Sequence, residues 1–395
     1  MTLAARSGPL HGIKVLDLTS MLAGPFTTML LADLDADVVK VEPAVGDRTR
    51  GMGPFRESDD RSQALGGYFQ SVNRGKRSIV LDLKTEAGVS AFLDLVRVAD
   101  AVIENFSAGV MDRLGLGYEV LHQVNPRLVY AALRGFGDAR TGRSPYEAWP
   151  AFDVVAQAMG GFAGITGPLD GTPHKAGPGI GDIFPGTLLA LGVVTAVRHA
   201  ERTGEGQFVD VAMYDAVLAL CERIVYQHSY LGVTPGPMGN GHPLLAPFDI
   251  MQTTDGWIAV AAPSNHHWRT LTEAMGRPEL ADDPRFADNT SRVANADEVR
   301  KVLEEWLSVR TTADVIAVLG GRVPIGPVNN AADIFADEHV RRREMLVEVE
   351  QPGSDEPVTI AGSPIKFSST PARVHGRGPK LGEDAVESIL SEWTP

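Results

Sequence analysis

The sequence predicts a two-domain α/β protein: a larger doubly wound parallel sheet and a smaller α+β domain. Three observations carry this. At 395 residues and 42.2 kDa the chain exceeds what one ordinary core supports. Strand-like apolar runs alternate with helical patterns from Ile13 to Leu133. Beyond Pro247 a hairpin pattern is followed by amphipathic helices.

In order, Ile13–Leu18 reads as a buried strand, and Gly24-Pro25 opens a helix that runs to Leu34. Asp37–Glu42 is the second strand and Ile79–Asp82 a short third. The amphipathic helix Thr85–Val98 leads to strand Ala101–Glu104, and a helix near Tyr118–Gln123 leads to strand Leu128–Leu133. Strands separated by helices pair in parallel through right-handed crossovers, which gives a Rossmann-like sheet. Its first strand–helix turn, Asp17 to Pro25, lacks G-x-G-x-x-G, which argues against an NAD-type site. Ligands in such sheets bind at the carboxyl ends of strands, in the loops after Leu18, Glu42, Glu104 and Leu133.

Further on, Val154–Met159 and the apolar run Thr187–Ala196 read as helices. A long helical run, Asp215–Tyr230, gives way to Pro- and Gly-rich sequence at Gly232–Pro247, so the first domain ends near residue 228. Phe248–Gln252 and Trp257–Ala261 form a hairpin around Thr-Thr-Asp-Gly. Helices follow near Trp268–Met275, Ala296–Ser308 and Thr312–Leu319, and strand-like segments at Pro327–Val328, Leu346–Val349 and Pro357–Ile360.

Composition narrows the function classes. A formal charge of −14 argues against nucleic acid as a partner and requires a local basic cluster for any polyanion. No signal peptide opens the sequence, and no apolar run approaches the roughly 20 residues of a membrane span. The single cysteine, Cys221, excludes an intramolecular disulfide and a cysteine-based zinc site. It lies in an apolar helical run and reads as a buried hydrophobe. A cytoplasmic protein without a metal site is expected.

The most informative stretch is Gly179-Ile180-Gly181-Asp182-Ile183-Phe184-Pro185-Gly186. Its glycines allow a sharp bend and a close approach to the carboxylate. Asp182 is either a helix N-cap or a nucleophile or acid/base aimed at the positive end of a helix. Pro185 weighs against capping, because it would remove one of the amides that a cap carboxylate binds. A second constellation is basic: Arg48, Arg50, Asn73-Arg74-Gly75-Lys76-Arg77-Ser78, Lys84 and Arg113, with Asn105-Phe106 after a strand. Singly each cation reads as a solvated charge. Together at the ligand edge they suggest a phosphate-bearing ligand, with Phe106 as a face for a purine.

Read in order, GIKVLDLT, AGPF, ADVVKVEP, GDRTR, NRGKRSIVLDLK, ADAVIENF, GVMDRLGLGY, NPRLVYAALRGFG, FDVVAQAMGG, GDIFPG and ERTGEGQFVDVAMYDA resemble the class III CoA-transferase family over nearly the whole chain. The resemblance implies transfer of CoA from an acyl-CoA to a free carboxylic acid, through anhydride and thioester intermediates on Asp182. By position it implies that Leu81, Lys84, Asn105, Phe106 and Arg113 hold the adenosine and phosphate part. CoA then enters as a substrate, with no tightly bound cofactor, no nucleic acid and no membrane. It further implies an interlocked homodimer, with a large domain at residues 1–228, a small domain at 229–328, and a return segment at 329–395. Leu22 and Pro43 depart from the formyl-CoA branch, which carries glutamine and arginine there, and Asp35 stands at a usual glycine. Gly239-Asn240-Gly241 lies where that branch has a glycine lid. The related 2-methylacyl-CoA racemases carry a histidine where this chain has Phe152, before Asp153, and His174 is a poor substitute. Asp153 reads as orienting the neighbouring loop or capping its own helix. Arg134, Arg140 and Arg143 are candidate receivers of an acceptor carboxylate. A non-catalytic acyl-CoA-binding protein is the remaining alternative.

Overall fold

The computed structural model describes residues 7–394. The chain divides into two compact units: one of residues up to 162, 176–230 and 338 onward, the other of 163–175 and 231–337.

The first unit is built on six parallel strands: β1 (Lys14–Asp17), β2 (Asp37–Glu42), β3 (Arg77–Val80), β4 (Ala101–Glu104), β5 (Val129–Arg134) and β6 (Phe208–Ala212). Their order is β3-β2-β1-β4-β5-β6, with every neighbouring pair parallel. The order reverses between β1 and β4, which leaves a crevice at their carboxyl ends. On one face Leu16, Val39, Val102 and Tyr130 share a core with Phe92 and Leu95 of the Glu86–Val98 helix. Thr85 caps that helix by accepting the Gly88 amide hydrogen. Elsewhere the helices Ala23–Asp33 and Ile180–Thr203 pack along each other, and the second also packs on β5 and β6.

The Ile180–Thr203 helix differs from the sequence reading in two ways. It is 24 residues long, not the ten of Thr187–Ala196, because the glycine-rich stretch is itself helical. With a mean hydropathy of 1.8 in its most apolar window, it is also long and apolar enough to cross a membrane. Gly181, Pro185, Leu189, Val193, Ala196 and Ala200 recur at helical spacing and are buried, so it serves as a core helix of this unit. The expected run Asp215–Tyr230 is two helices, Met213–Leu220 and Glu222–Leu231, broken at the buried Cys221. Asp35 adopts φ 74° at a helix end, the left-handed conformation that an aspartate tolerates there.

In the second unit Phe248–Gln252 and Trp257–Ala261 form the expected hairpin, and Ile325–Pro327 adds a third antiparallel strand. Trp268, Leu271, Leu303, Trp306 and Leu319, from the helices Asn265–Ala274, Ala296–Leu307 and Thr312–Leu319, form its core. Gly239 and Asn240 lie in a turn of this unit, with Gly239 at φ 61°. The first unit ends with the hairpin Leu346–Val349 and Val358–Ala361 and the helix Val386–Trp393. There the Trp393 indole donates to Asp37 Oδ2 at 2.6 Å, tying the end of the chain to β2.

Candidate active site

Asp182 occupies the third position of the Ile180–Thr203 helix, so it is not the N-cap; Gly179 is, and it offers no side chain to the helix. The capping is done from another element. Asp153, at the start of the Asp153–Met159 helix, accepts the Gly181 amide hydrogen on Oδ1 at 2.7 Å. Asp153 therefore caps the neighbouring helix, where its sequence position suggested orienting a loop or capping its own helix. A Cβ on Gly181 would stand 2.6 Å from the Asp153 carbonyl, so this approach requires glycine. Gly186 is similarly constrained, 2.6 Å from the Ala23 carbonyl. The frame serves the packing of the chain on itself, and none of Gly179, Gly181 and Gly186 has a positive φ.

Relieved of capping, the half-buried Asp182 carboxylate accepts no hydrogen bond among the described residues. Burial, and next the carboxylate of Asp153, push its pKa up to about 7. The phenol of Tyr68, in the Gly67–Asn73 helix, is raised by burial and then by Asp182, Asp47 and Asp153. Tyr68 is thus neutral at neutral pH and close enough to sense Asp182. No local pattern around Gly66-Gly67-Tyr68 marked it. The amides of Ile180, Gly181, Asp182 and Ile183 are already bonded, to Pro178, Asp153 and, twice, Gly179. They are not available as an oxyanion hole. The Ala23 and Gly24 amides, in the first turn of the adjacent helix, have no partner among the described residues. That helix meets the Asp182 turn through Leu22, whose side chain a Cβ on Gly179 would approach to 2.9 Å.

Most of the basic constellation is consumed internally. Arg74 pairs with Asp33, Lys76 with Asp17, Arg50 with Glu42, and Arg77 with Asp37, Asp384 and Glu392. Apart from Glu42, eight residues before Arg50, the acidic partners come from distant segments, which sequence proximity could not reveal. Among the described residues Arg48, Lys84 and Arg113 remain exposed without an acidic partner. Leu81 follows β3 and Phe106 follows β4, and both pack against the same core cluster. Asn105 spans the switch point: its side chain accepts from the Ser20 amide at 2.9 Å and donates to the Ser20 carbonyl at 2.8 Å. Arg134 is buried between Glu104 and Asp138, and Arg140 binds Glu119, Asp112 and Asp138. Neither is free to receive a substrate carboxylate, whereas Arg143 is exposed.

A cleft of about 780 Å³ opens beyond β4 and β5, lined by Ser107, Gly109, Asp112, Glu119, Arg140 and Trp149 among others. Asp182 does not line it, and its one arginine is already neutralised, so it is a poor receptor for phosphates. Phe152, where a racemase has histidine, is exposed and precedes Asp153; His174 lies in the other unit, its amide bonded to Thr166. Among the described residues no three His, Cys, Asp or Glu side chains gather as a metal-binding group.

The chain is 52% identical over 382 residues to a succinyl-CoA:mesaconate CoA-transferase of Haloarcula hispanica, covering 97% of this chain and 96% of that protein. It is 40% identical over 392 residues to a succinate–glutarate CoA-transferase of Agrobacterium fabrum, covering 98% and 96%. A CAIB/BAIF family protein from Brucella suis has a crystal structure that superposes with a TM-score of 0.85 at 37% identity, covering 98% of this chain and all of the other. Residues 10–385 match the family described as CoA-transferase family III. The chain belongs to CoA-transferase family III.

Proposed function

We propose that this protein transfers CoA from an acyl-CoA thioester to a free carboxylic acid through covalent intermediates on Asp182. The observation that carries the reading is the Asp182 carboxylate: half-buried, without a hydrogen-bond donor, and freed from capping by Asp153. Such a group is a poorly solvated, reactive oxygen nucleophile. Its attack on the thioester carbonyl forms an acyl-aspartyl anhydride and expels CoA thiolate. The thiolate then attacks the aspartyl carbonyl, releasing the first carboxylate and leaving an aspartyl-CoA thioester. The acceptor carboxylate attacks that thioester, forming a second anhydride, and the returning thiolate takes the new acyl group and frees Asp182. Four acyl transfers of similar kind replace one exchange. The unpaired amides of Ala23 and Gly24, next to the Asp182 turn through Leu22, are suited to the oxyanions. Exposed Lys84 and Arg113 are suited to the CoA phosphates, with Phe106 as the adenine face.

The names of the similar proteins suggest dicarboxylic substrates: succinyl-CoA with mesaconate in one, succinate with glutarate in the other. Assembly belongs to the same reading, as an interlocked homodimer. The Glu222–Leu231 helix has no buried residue, leaving Tyr230 87% and Leu231 71% exposed, an apolar surface suited to a second copy. The test is a panel of acyl-CoA donors against mono- and dicarboxylates, with CoA esters identified by mass. A new CoA ester formed in step with loss of the donor supports the reading. Epimerisation of a 2-methylacyl-CoA without transfer, or binding without turnover, overturns it.

A further inference from the structure

Asp153 does not act alone. The side-chain nitrogen of the fully buried Gln157 donates to both oxygens of Asp153, at 2.9 and 2.8 Å. Its side-chain oxygen accepts the Ala176 amide hydrogen at 2.8 Å. Asp153 in turn holds the Gly181 amide at 2.7 Å. One continuous chain of hydrogen bonds therefore runs from Ala176 through Gln157 and Asp153 to Gly181. Those two backbone positions bracket the loop Gly177-Pro178-Gly179, which leads into the first helical turn that carries Asp182. With glycine at 177 and 179, the loop has little stiffness of its own.

We propose that Gln157 and Asp153 form a staple that closes both ends of this loop and sets where the Asp182 carboxylate stands, which makes Gln157 a positioning residue. The inference rests on Asp182 being the nucleophile. The polarity of the staple matters as well as its presence. As built, its negative charge sits on Asp153, the member nearer to Asp182. The titratable groups that face Asp182 are Asp153 from one helix and Tyr68 from another.

This predicts a reversal experiment. Gln157→Glu keeps size and the acceptor for Ala176 but sets two carboxylates against each other, so the staple opens. Asp153→Asn combined with Gln157→Glu restores donors and acceptors in the opposite sense: asparagine accepts from Gly181 and donates to the new glutamate. The charge then sits on the member of the staple that holds Ala176 instead of the one that holds Gly181. Misplacement on the scale of 1 Å can cost about 100-fold in rate. We therefore expect Gln157→Glu to lower kcat by about 10- to 100-fold with KM for the CoA ester within about twofold. The double variant should recover kcat to within about threefold of wild type. Its acid limb should lie at lower pH, which a purely structural repair would not produce. Should Gln157→Glu alone not fold, the double variant is the test. Wild-type kcat in Gln157→Glu, or no recovery in the double variant, overturns the staple. Labelling of Asp182 by acyl-CoA in the wild type is scored separately: its absence overturns the nucleophile assignment, and its presence with an indifferent Gln157 overturns only the staple.

Discussion

At the scale of the residue, Asp182 is destabilised by its own charge. Its pKa is raised by burial and by Asp153 to about 7, so the folded protein binds a proton there more tightly than the unfolded chain does. Stability from this group is therefore lost as pH rises from about 4 to about 7. Asp182→Asn should melt at a higher temperature than wild type at pH 8, with the difference vanishing near pH 4; equal melting points at pH 8 would contradict this. On the proposed mechanism Asp182 must be ionised to attack, so kcat/KM should fall below about pH 7 with the loss of one group. The phosphate assignment makes an independent prediction. Lys84→Ala and Arg113→Ala should each weaken CoA-ester binding by about 1.5–3 kcal/mol, seen as raised KM with kcat little changed. Unchanged KM in both places the phosphates elsewhere. Asp182 was singled out from the sequence by its glycine and proline spacing, although the stretch is helical rather than a turn. Tyr68 and Gln157 were not, since each acts through a partner brought close only by the fold.

At the scale of the element, apolar runs defined five of the six parallel strands to within two or three residues. The sixth, Phe208–Ala212, escaped because Asp210 interrupts a short, half-buried run. The Ile180–Thr203 helix was read short because Gly181, Pro185 and Gly186 look like loop residues. The two glycines let the helix approach Asp153 and Ala23. The basic run Asn73–Ser78 misled for the opposite reason. It looks like a ligand site and is largely structural. Lys76 and Asp17 are both fully buried, and Lys76 meets Asp17 Oδ2 at 3.0 Å. Burial works against the Asp17 charge, yet Lys76, Lys40 and two threonine hydroxyls hold its pKa down to about 2. Its contribution is present above about pH 4 and lost as pH falls toward about 2. Lys76→Met would strand that carboxylate, at a cost of about 3–5 kcal/mol in urea unfolding at pH 7. A loss under about 1 kcal/mol would show that the network is not a structural anchor.

At the scale of the whole molecule, the sequence carried the fold class through strand–helix alternation, and the reversal at β1/β4 follows once the strands pair. Assembly is not written in any local pattern. The exposed apolar side chains of the Glu222–Leu231 helix make the interlocked homodimer testable. Light scattering should give twice the 42.2 kDa chain mass, and two differently tagged preparations should not exchange subunits without denaturant. A monomer, or rapid exchange, would contradict it. In the proposed mechanism one carboxylate carries first the acyl group and then CoA. The most direct measurement is to incubate the protein with succinyl-CoA, quench with hydroxylamine, and map the modified peptide by mass. The expected product is a hydroxamate on Asp182 that forms only with the CoA ester and is absent from Asp182→Asn. An unmodified Asp182 in a preparation that turns over, or a hydroxamate on another residue, would contradict it.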